Sequence, residues 1–157
     1  MKIIIDTREQ LPFQFEGIET IVDTLPTGDY SIEGLRHSVA VERKSLQDLL
    51  GCIGKQRERF EAELMRLRGY RHQMVIVEEP FEKILSGEYR HDGAIRSQVH
   101  PNAAISTICA WQGRLGVPFM FFDGRESAQK FLIEWFRQIV KGYVKQTEGI
   151  INKKIEA

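Results

Sequence analysis

The hydropathy pattern predicts an α/β fold, a central mixed β-sheet flanked by helices, and three observations carry that prediction. Short runs rich in β-branched residues, led by Ile3-Ile4-Ile5 and Val39-Ala40-Val41, recur along the chain with the length and composition of buried strands. Between them lie longer segments in which apolar residues return at helical spacing, Phe60, Leu64 and Leu67 being the clearest. The chain has 157 residues with 42% hydrophobic content, enough to bury roughly two thirds of its unfolded surface in one core without a disulfide or structural metal.

Taken in order, strands are expected at 2–6, 18–22, 29–32, 39–44, 73–77 and 118–122, and helices at 46–52, 55–68, 103–114 and 126–144. The first strand ends in the polar Asp6-Thr7-Arg8-Glu9. The third and fourth are joined through Glu33-Gly34-Leu35, which suits a hairpin turn. Ser45 reads as the N-cap of the first helix, with Asp48 at its third position completing a capping-box geometry. A further short helix starts at Phe81, after Pro80. The last helix pairs adjacent apolar residues at every turn, Phe131-Leu132, Trp135-Phe136, Ile139-Val140 and Tyr143-Val144, a stripe wider than one core face requires. Residues 1–145 therefore read as one domain. Residues 146–157 form a C-terminal tail that either extends the last helix or is disordered.

Lysines and arginines balance aspartates and glutamates at 22 each, so net charge does not advertise a polyanionic partner. The two cysteines, Cys52 and Cys109, lack zinc-ligand spacing and read as free thiols in a reducing compartment. His37, His72, His91 and His100 share no metal-ligand spacing and are expected at surface or loop positions. No signal peptide or membrane-length apolar run is present. These features point to an intracellular protein, in the cytoplasm of a prokaryote or a phage-infected host, with no membrane partner.

Chemistry concentrates in the first third. Side chains alternate faces along a strand, so Glu42 and Lys44 project together while Val41 and Arg43 point the other way. A hairpin turning at Glu33-Gly34-Leu35 sets Asp29 roughly opposite Glu42. Two acids and a lysine then converge. Asp29 and Glu42 have the hard oxygen donors that Mg2+ or Mn2+ prefers. Lys44 can orient a water nucleophile or neutralise charge on a phosphate. Asp6 closes the first strand, a location where ligands collect in open α/β sheets. Each piece has a plainer reading as well: a salt-bridged strand edge for Glu42 and Lys44, a turn residue for Asp29, a strand terminator for Asp6.

Gly28-Asp29, then Glu42-Arg43-Lys44, then Asp48 and Leu49, resembles the GD…ERKxxxD signature of the XPF-type structure-specific endonucleases, a family that includes the nuclease domain of the archaeal Hef protein. Ile5-Asp6-Thr7-Arg8-Glu9 is similar to that family's first strand, and the resemblance covers about the first half of the chain. It implies a restriction-endonuclease-like core and a Mg2+- or Mn2+-dependent DNA endonuclease acting on branched or single-strand/double-strand junction DNA. It further implies metal binding by Asp29 and Glu42, catalysis by Lys44, and roles for Asp6, Arg8, Glu9, Arg43 and Asp48. Larger members join this domain to helix-hairpin-helix motifs; none is present in this sequence, which reads as a stand-alone nuclease. Rival readings are a catalytically silent module that docks on DNA or scaffolds a partner, and an enzyme directed at RNA or acting as an exonuclease.

Two further expectations concern partners. Arg57, Arg66 and Arg68 lie in a charged amphipathic helix and either contact phosphates or sit on a solvated face. The resemblance also implies a homodimer through the nuclease domain, with the doubled stripe of the last helix as its surface or, alternatively, buried in the monomer. The segments 87–97 and 10–13 are each an ordinary packed connection or a loop that touches DNA.

Overall fold

The structure is a computed structural model that describes residues 1–91, 93, 95 and 97–155, the last three by their backbone alone. Its strands are β1 (Ile3–Asp6), β2 (Thr20–Asp23), β3 (Tyr30–Ile32), β4 (Val39–Lys44), β5 (His72–Val77) and β6 (Phe119–Phe121). Helices α1 (Leu46–Ile53), α2 (Arg57–Leu67), α3 (Glu82–Ser86), α4 (Pro101–Leu115) and α5 (Arg125–Ile155) join them, with one 3-10 turn at Glu88–Arg90. The sheet order is β2-β1-β3-β4-β5-β6. Only β3 runs antiparallel to both neighbours; β1 pairs parallel with β2, and β4, β5 and β6 run parallel. The mixed sheet flanked by helices is thus present.

Alternation along the strands divides the apolar core into two layers. Ala40, Val75 and Val77 pack with α1, α2 and α4 on one face. Ile3, Ile5, Tyr30, Val39, Val41, Met74 and Ile76 pack on the other against Ala128, Leu132, Phe136 and Ile139 of α5. By the same parity Asp29, Glu42 and Lys44 belong to the α1/α2 face, and Arg43 to the α5 face.

Several end signals are satisfied as the residue types require. The Asp48 amide donates to Ser45 Oγ at 3.1 Å, and the Ser45 hydroxyl donates to Asp48 Oδ2 at 2.7 Å. His100 caps α4, its Nδ1 accepting from the Asn102 amide at 3.2 Å, with Pro101 at the first helical position. α5 continues to Ile155, so residues 146–155 extend the helix. Among the described residues no helix is long and apolar enough to cross a membrane.

His72 departs from the expectation of a surface or loop place. It opens β5, half-buried, with its ring edge-on to Trp135 at 6.4 Å and Tyr143 at 5.8 Å. A lone histidine before an apolar run gives no sign that two aromatics of a distant helix will close over it.

Candidate active site at the strand ends

The hairpin register delivers the acids together. Tyr30 lies across from Val41, and one step along the antiparallel ladder Asp29 stands opposite Glu42. Gly28 makes the approach possible: its φ is +79°, and a Cβ there would fall 2.9 Å from the Val41 carbonyl oxygen, so no other residue fits without moving the strand. The Asp29 amide then donates to Val41 O at 2.7 Å, and Asp29 Oδ2 accepts from the Arg43 amide at 2.7 Å. Glu42 is buried, and the Lys44 ammonium donates to its Oε1.

Burial is the largest influence on all three groups. It pushes the Asp29 carboxyl up to about 6, with the Arg43 amide holding it down and Glu9 pushing it up. Burial raises Glu42 well above the usual carboxylate range, reinforced by Asp29 and partly offset by Lys44. For Lys44 burial acts downward, but Glu42 outweighs it and keeps the ammonium charged. A carboxyl whose ionisation is hindered by burial and by a neighbouring acid, beside one ammonium, is a site that gains from a second cation.

A chain of ion pairs on the opposite face fixes Arg43. Its guanidinium donates to Glu9 Oε2 at 2.8 Å and Oε1 at 2.9 Å, and to Glu78 Oε2 at 3.2 Å. Arg125 at the start of α5 continues the chain, donating to Glu78 Oε1 at 2.9 Å, to the Leu11 carbonyl, and to the Pro12 carbonyl at 2.5 Å. The four side chains tie the ends of β1, β4 and β5 to α5. Arg43 is thus an anchor between carboxylates, and its backbone amide, held still by that anchor, orients Asp29.

The family model for the ERCC4 domain matches residues 5–134. The chain belongs to the ERCC4-domain nuclease family. No curated protein matches it. Solved structures similar to it include XPF from Aeropyrum pernix in complex with DNA, at 22% identity and a TM-score of 0.67 over 90% of this chain and 66% of that one. A second structure of XPF from Aeropyrum pernix gives 20% identity and a TM-score of 0.69 over 94% and 69%. At these identities the likeness is one of fold, and the restriction-endonuclease-like core follows from it. The chain spans about two thirds of the length of the chains it matches.

Other expected site residues of this ERCC4 domain fall in different places. Asp6 is only 1% exposed, and both its oxygens are occupied: Oδ1 by the Arg8 amide at 2.9 Å and Arg8 Nε at 2.6 Å, Oδ2 by Arg8 at 3.0 Å and the Leu25 amide at 2.7 Å. Burial pushes this carboxyl up, yet Arg8 and the two amides together hold it below its ordinary value. As found, Asp6 and Arg8 fasten the loop that leads into Gly28-Asp29. Glu9 serves Arg43, and Asp48 serves the α1 cap. Arg57 is taken up by Glu61 at 3.0 Å and lies over the Trp111 ring at 5.8 Å, facing α4. Arg66 and Arg68 are exposed, with Arg68 just past the helix terminus, away from the acids.

Residues that the sequence did not assign to the site lie beside it. A small recess of about 30 Å³ beside Lys44 is lined by Cys52, Gln56, Arg59, Phe60 and Glu63. Gln56, Arg59, Phe60 and Glu63 follow helical spacing along one face of α2. Lys44 Nζ sits 5.1 Å from the Phe60 ring centroid, and Glu63 is near enough to Glu42 to push its carboxyl up. Arg59 makes no ion pair among the described residues. The helical period shows that these side chains share a face; it does not show that the face meets the end of β4.

The two loops resolve in part. Phe13 is buried, stacked on Tyr30 at 5.2 Å, while Leu11 is 67% exposed. Tyr89 is a core residue whose hydroxyl donates to Val99 O at 2.8 Å. Asp92, Ala94 and Arg96 of the 87–97 segment lie outside the described residues, as do residues 156 and 157 of the tail.

Proposed function

We propose that this ERCC4 domain is a Mg2+- or Mn2+-dependent DNA endonuclease acting at branched or single-strand/double-strand junction DNA. The observation that carries the reading is the pairing of Asp29 and Glu42: a half-buried and a buried carboxylate opposite one another on adjacent strands, with Lys44 on the same face. Among the described residues no three His, Cys, Asp or Glu side chains converge where a metal could sit. The pair still suits Mg2+ or Mn2+, because these ions keep several waters and take one or two protein carboxylates. Asp29 and Glu42 would hold the ion. When bound, it lowers the pKa of a water and stabilises charge on the scissile phosphate.

The protein's own groups divide the remaining work. The Arg43 amide holds Asp29 Oδ2 and leaves the other oxygen for a ligand. Lys44 brings a fixed positive charge to where a phosphate oxygen gains negative charge. Arg59, which lines the recess, neutralises an approaching phosphate. A second copy of the chain pairs through the half-buried flank of α5.

The test is cleavage of labelled single-stranded, duplex, flap, fork and four-way DNA by purified protein in Mg2+, Mn2+ or EDTA. Cleavage concentrated on branched substrates, abolished by EDTA and by Glu42→Gln, is the expected result. Cutting that persists in EDTA overturns the metal reading. Intact DNA in both metals, alongside measurable DNA binding, makes the domain a catalytically silent module.

A further inference from the structure

We propose that Glu63 is a positioning residue that receives the Lys44 ammonium when a divalent cation takes Glu42. The proposal rests on the metal-dependent reading above. Lys44 donates to Glu42, so in this arrangement its charge already occupies the carboxylate that the ion requires. An ammonium and a divalent ion on one carboxylate repel each other. That repulsion favours release of Lys44 from Glu42 as the ion arrives, and the surroundings of Lys44 decide where it goes.

The ammonium has few places to move. The Phe60 ring lies 5.1 Å away on one side, and Cys52 lines the recess with it. Burial pushes the Cys52 thiol up to about 11, with Lys44 acting against that rise, so Cys52 offers a neutral wall rather than a counter-charge. Among the described residues lining the recess with Lys44, Glu63 is the carboxyl side chain, one helical turn after Phe60 and near enough to act on both Lys44 and Glu42. A short swing carries Lys44 from Glu42 to Glu63 and keeps it paired, since a buried ammonium left without a partner is costly. The same swing keeps the ammonium beside the metal position. Glu63 thus lets one residue neutralise the empty site and assist the loaded one.

A double-mutant cycle read by calorimetry decides the matter, because it follows Mn2+ binding rather than cleavage. Wild type, Glu63→Gln, Lys44→Met and the double variant are titrated with Mn2+, with circular dichroism to verify the fold. With Lys44 present, Glu63→Gln is expected to weaken Mn2+ binding by roughly tenfold, because the displaced lysine has no acceptor. In the Lys44→Met background the same change is expected to alter affinity less than about twofold. Should Lys44→Met unfold the chain, Lys44→Gln serves the same arm. An equal loss in both backgrounds makes Glu63 a direct ligand or a diffuse charge and overturns the proposal, as does unchanged affinity in Glu63→Gln. A wild-type protein that binds no Mn2+ overturns the metal reading itself, a result distinct from either.

Discussion

At the scale of single residues the site is governed by carboxylates, buried or half-buried, with opposite fates. Asp6 and Glu9 are held below their ordinary values by Arg8 and Arg43 despite burial. Each therefore stabilises the fold above its unfolded pKa, and that contribution is lost as pH falls through the folded value. Asp29 and Glu42 are raised. Their folded forms retain protons that the unfolded chain releases, so their contribution is present at low pH and lost as pH rises through about 6 for Asp29. In EDTA the melting temperature is expected to fall between about pH 4 and pH 6, and Asp29→Asn to remove much of that slope. Thermal melts across pH for both proteins check this; a variant slope equal to wild type would show that Asp29 is not the group responsible. For chemistry, Glu42→Gln keeps shape and removes a ligand charge, so turnover is expected to drop about a thousandfold, near 4 kcal/mol. Single-turnover rates at saturating Mn2+ measure it, and a change of only a few fold would remove Glu42 as a ligand. The positions of Asp29, Glu42 and Lys44 were legible in the sequence because strand alternation and a tight hairpin are local rules. Glu63, Glu78 and Arg125 were not, because each reaches the site through packing between segments far apart in the chain.

At the scale of elements, the β3–β4 hairpin and helix α2 are the two parts that make the site. The hairpin depends on Gly28, where a side chain would meet strain from the positive φ and from the Val41 carbonyl at 2.9 Å. Gly28→Ala is expected to cost about 1–3 kcal/mol in urea unfolding and to weaken Mn2+ binding by shifting Asp29. Stability close to wild type would mean that the hairpin relaxes easily. Helix α2 was legible as amphipathic, and Phe60, Leu64 and Leu67 are its buried stripe. Its orientation was not, since only the parallel pairing of β4 with β5 makes α2 run from the acid end of the sheet toward the other. Arg68 thereby sits roughly 14 Å along the axis from Arg59. A phosphate contact near the acids is accordingly expected at Arg59. Arg59→Gln is expected to lower the slope of log affinity against log salt for duplex DNA by about 0.9, whereas Arg57→Gln, already paired with Glu61, leaves it unchanged. Equal slopes for Arg59→Gln and wild type would return this helix face to plain solvation.

At the scale of the whole molecule, α5 is the element on which the proposed pairing of copies rests. The sequence showed a doubled apolar stripe without saying which half faces inward, because helical periodicity is blind to what lies opposite. In the structure Leu132, Phe136 and Ile139 are the inward half, packed against the sheet, while Phe131, Trp135, Val140 and Tyr143 are half-buried along its margins. Val144, Ile150 and Ile151 stand about half exposed on the same helix, so apolar surface continues along it toward its C-terminal end. A homodimer that buries this margin removes apolar area from water at about 25 cal/mol per Å² before the costs of association are met. Phe136→Glu is expected to unfold the chain, because it places a charge in the core and deletes a fully buried ring, a loss of about 3–5 kcal/mol from the ring alone. Val144→Glu and Trp135→Glu are expected to leave the monomer folded and to shift sedimentation from dimer to monomer. Analytical ultracentrifugation at micromolar concentration, paired with circular dichroism, separates the two effects. A wild-type protein that sediments as a monomer would return the wide stripe to the core of a single chain, and a dimer that survives both glutamates would put the interface on another face of the domain.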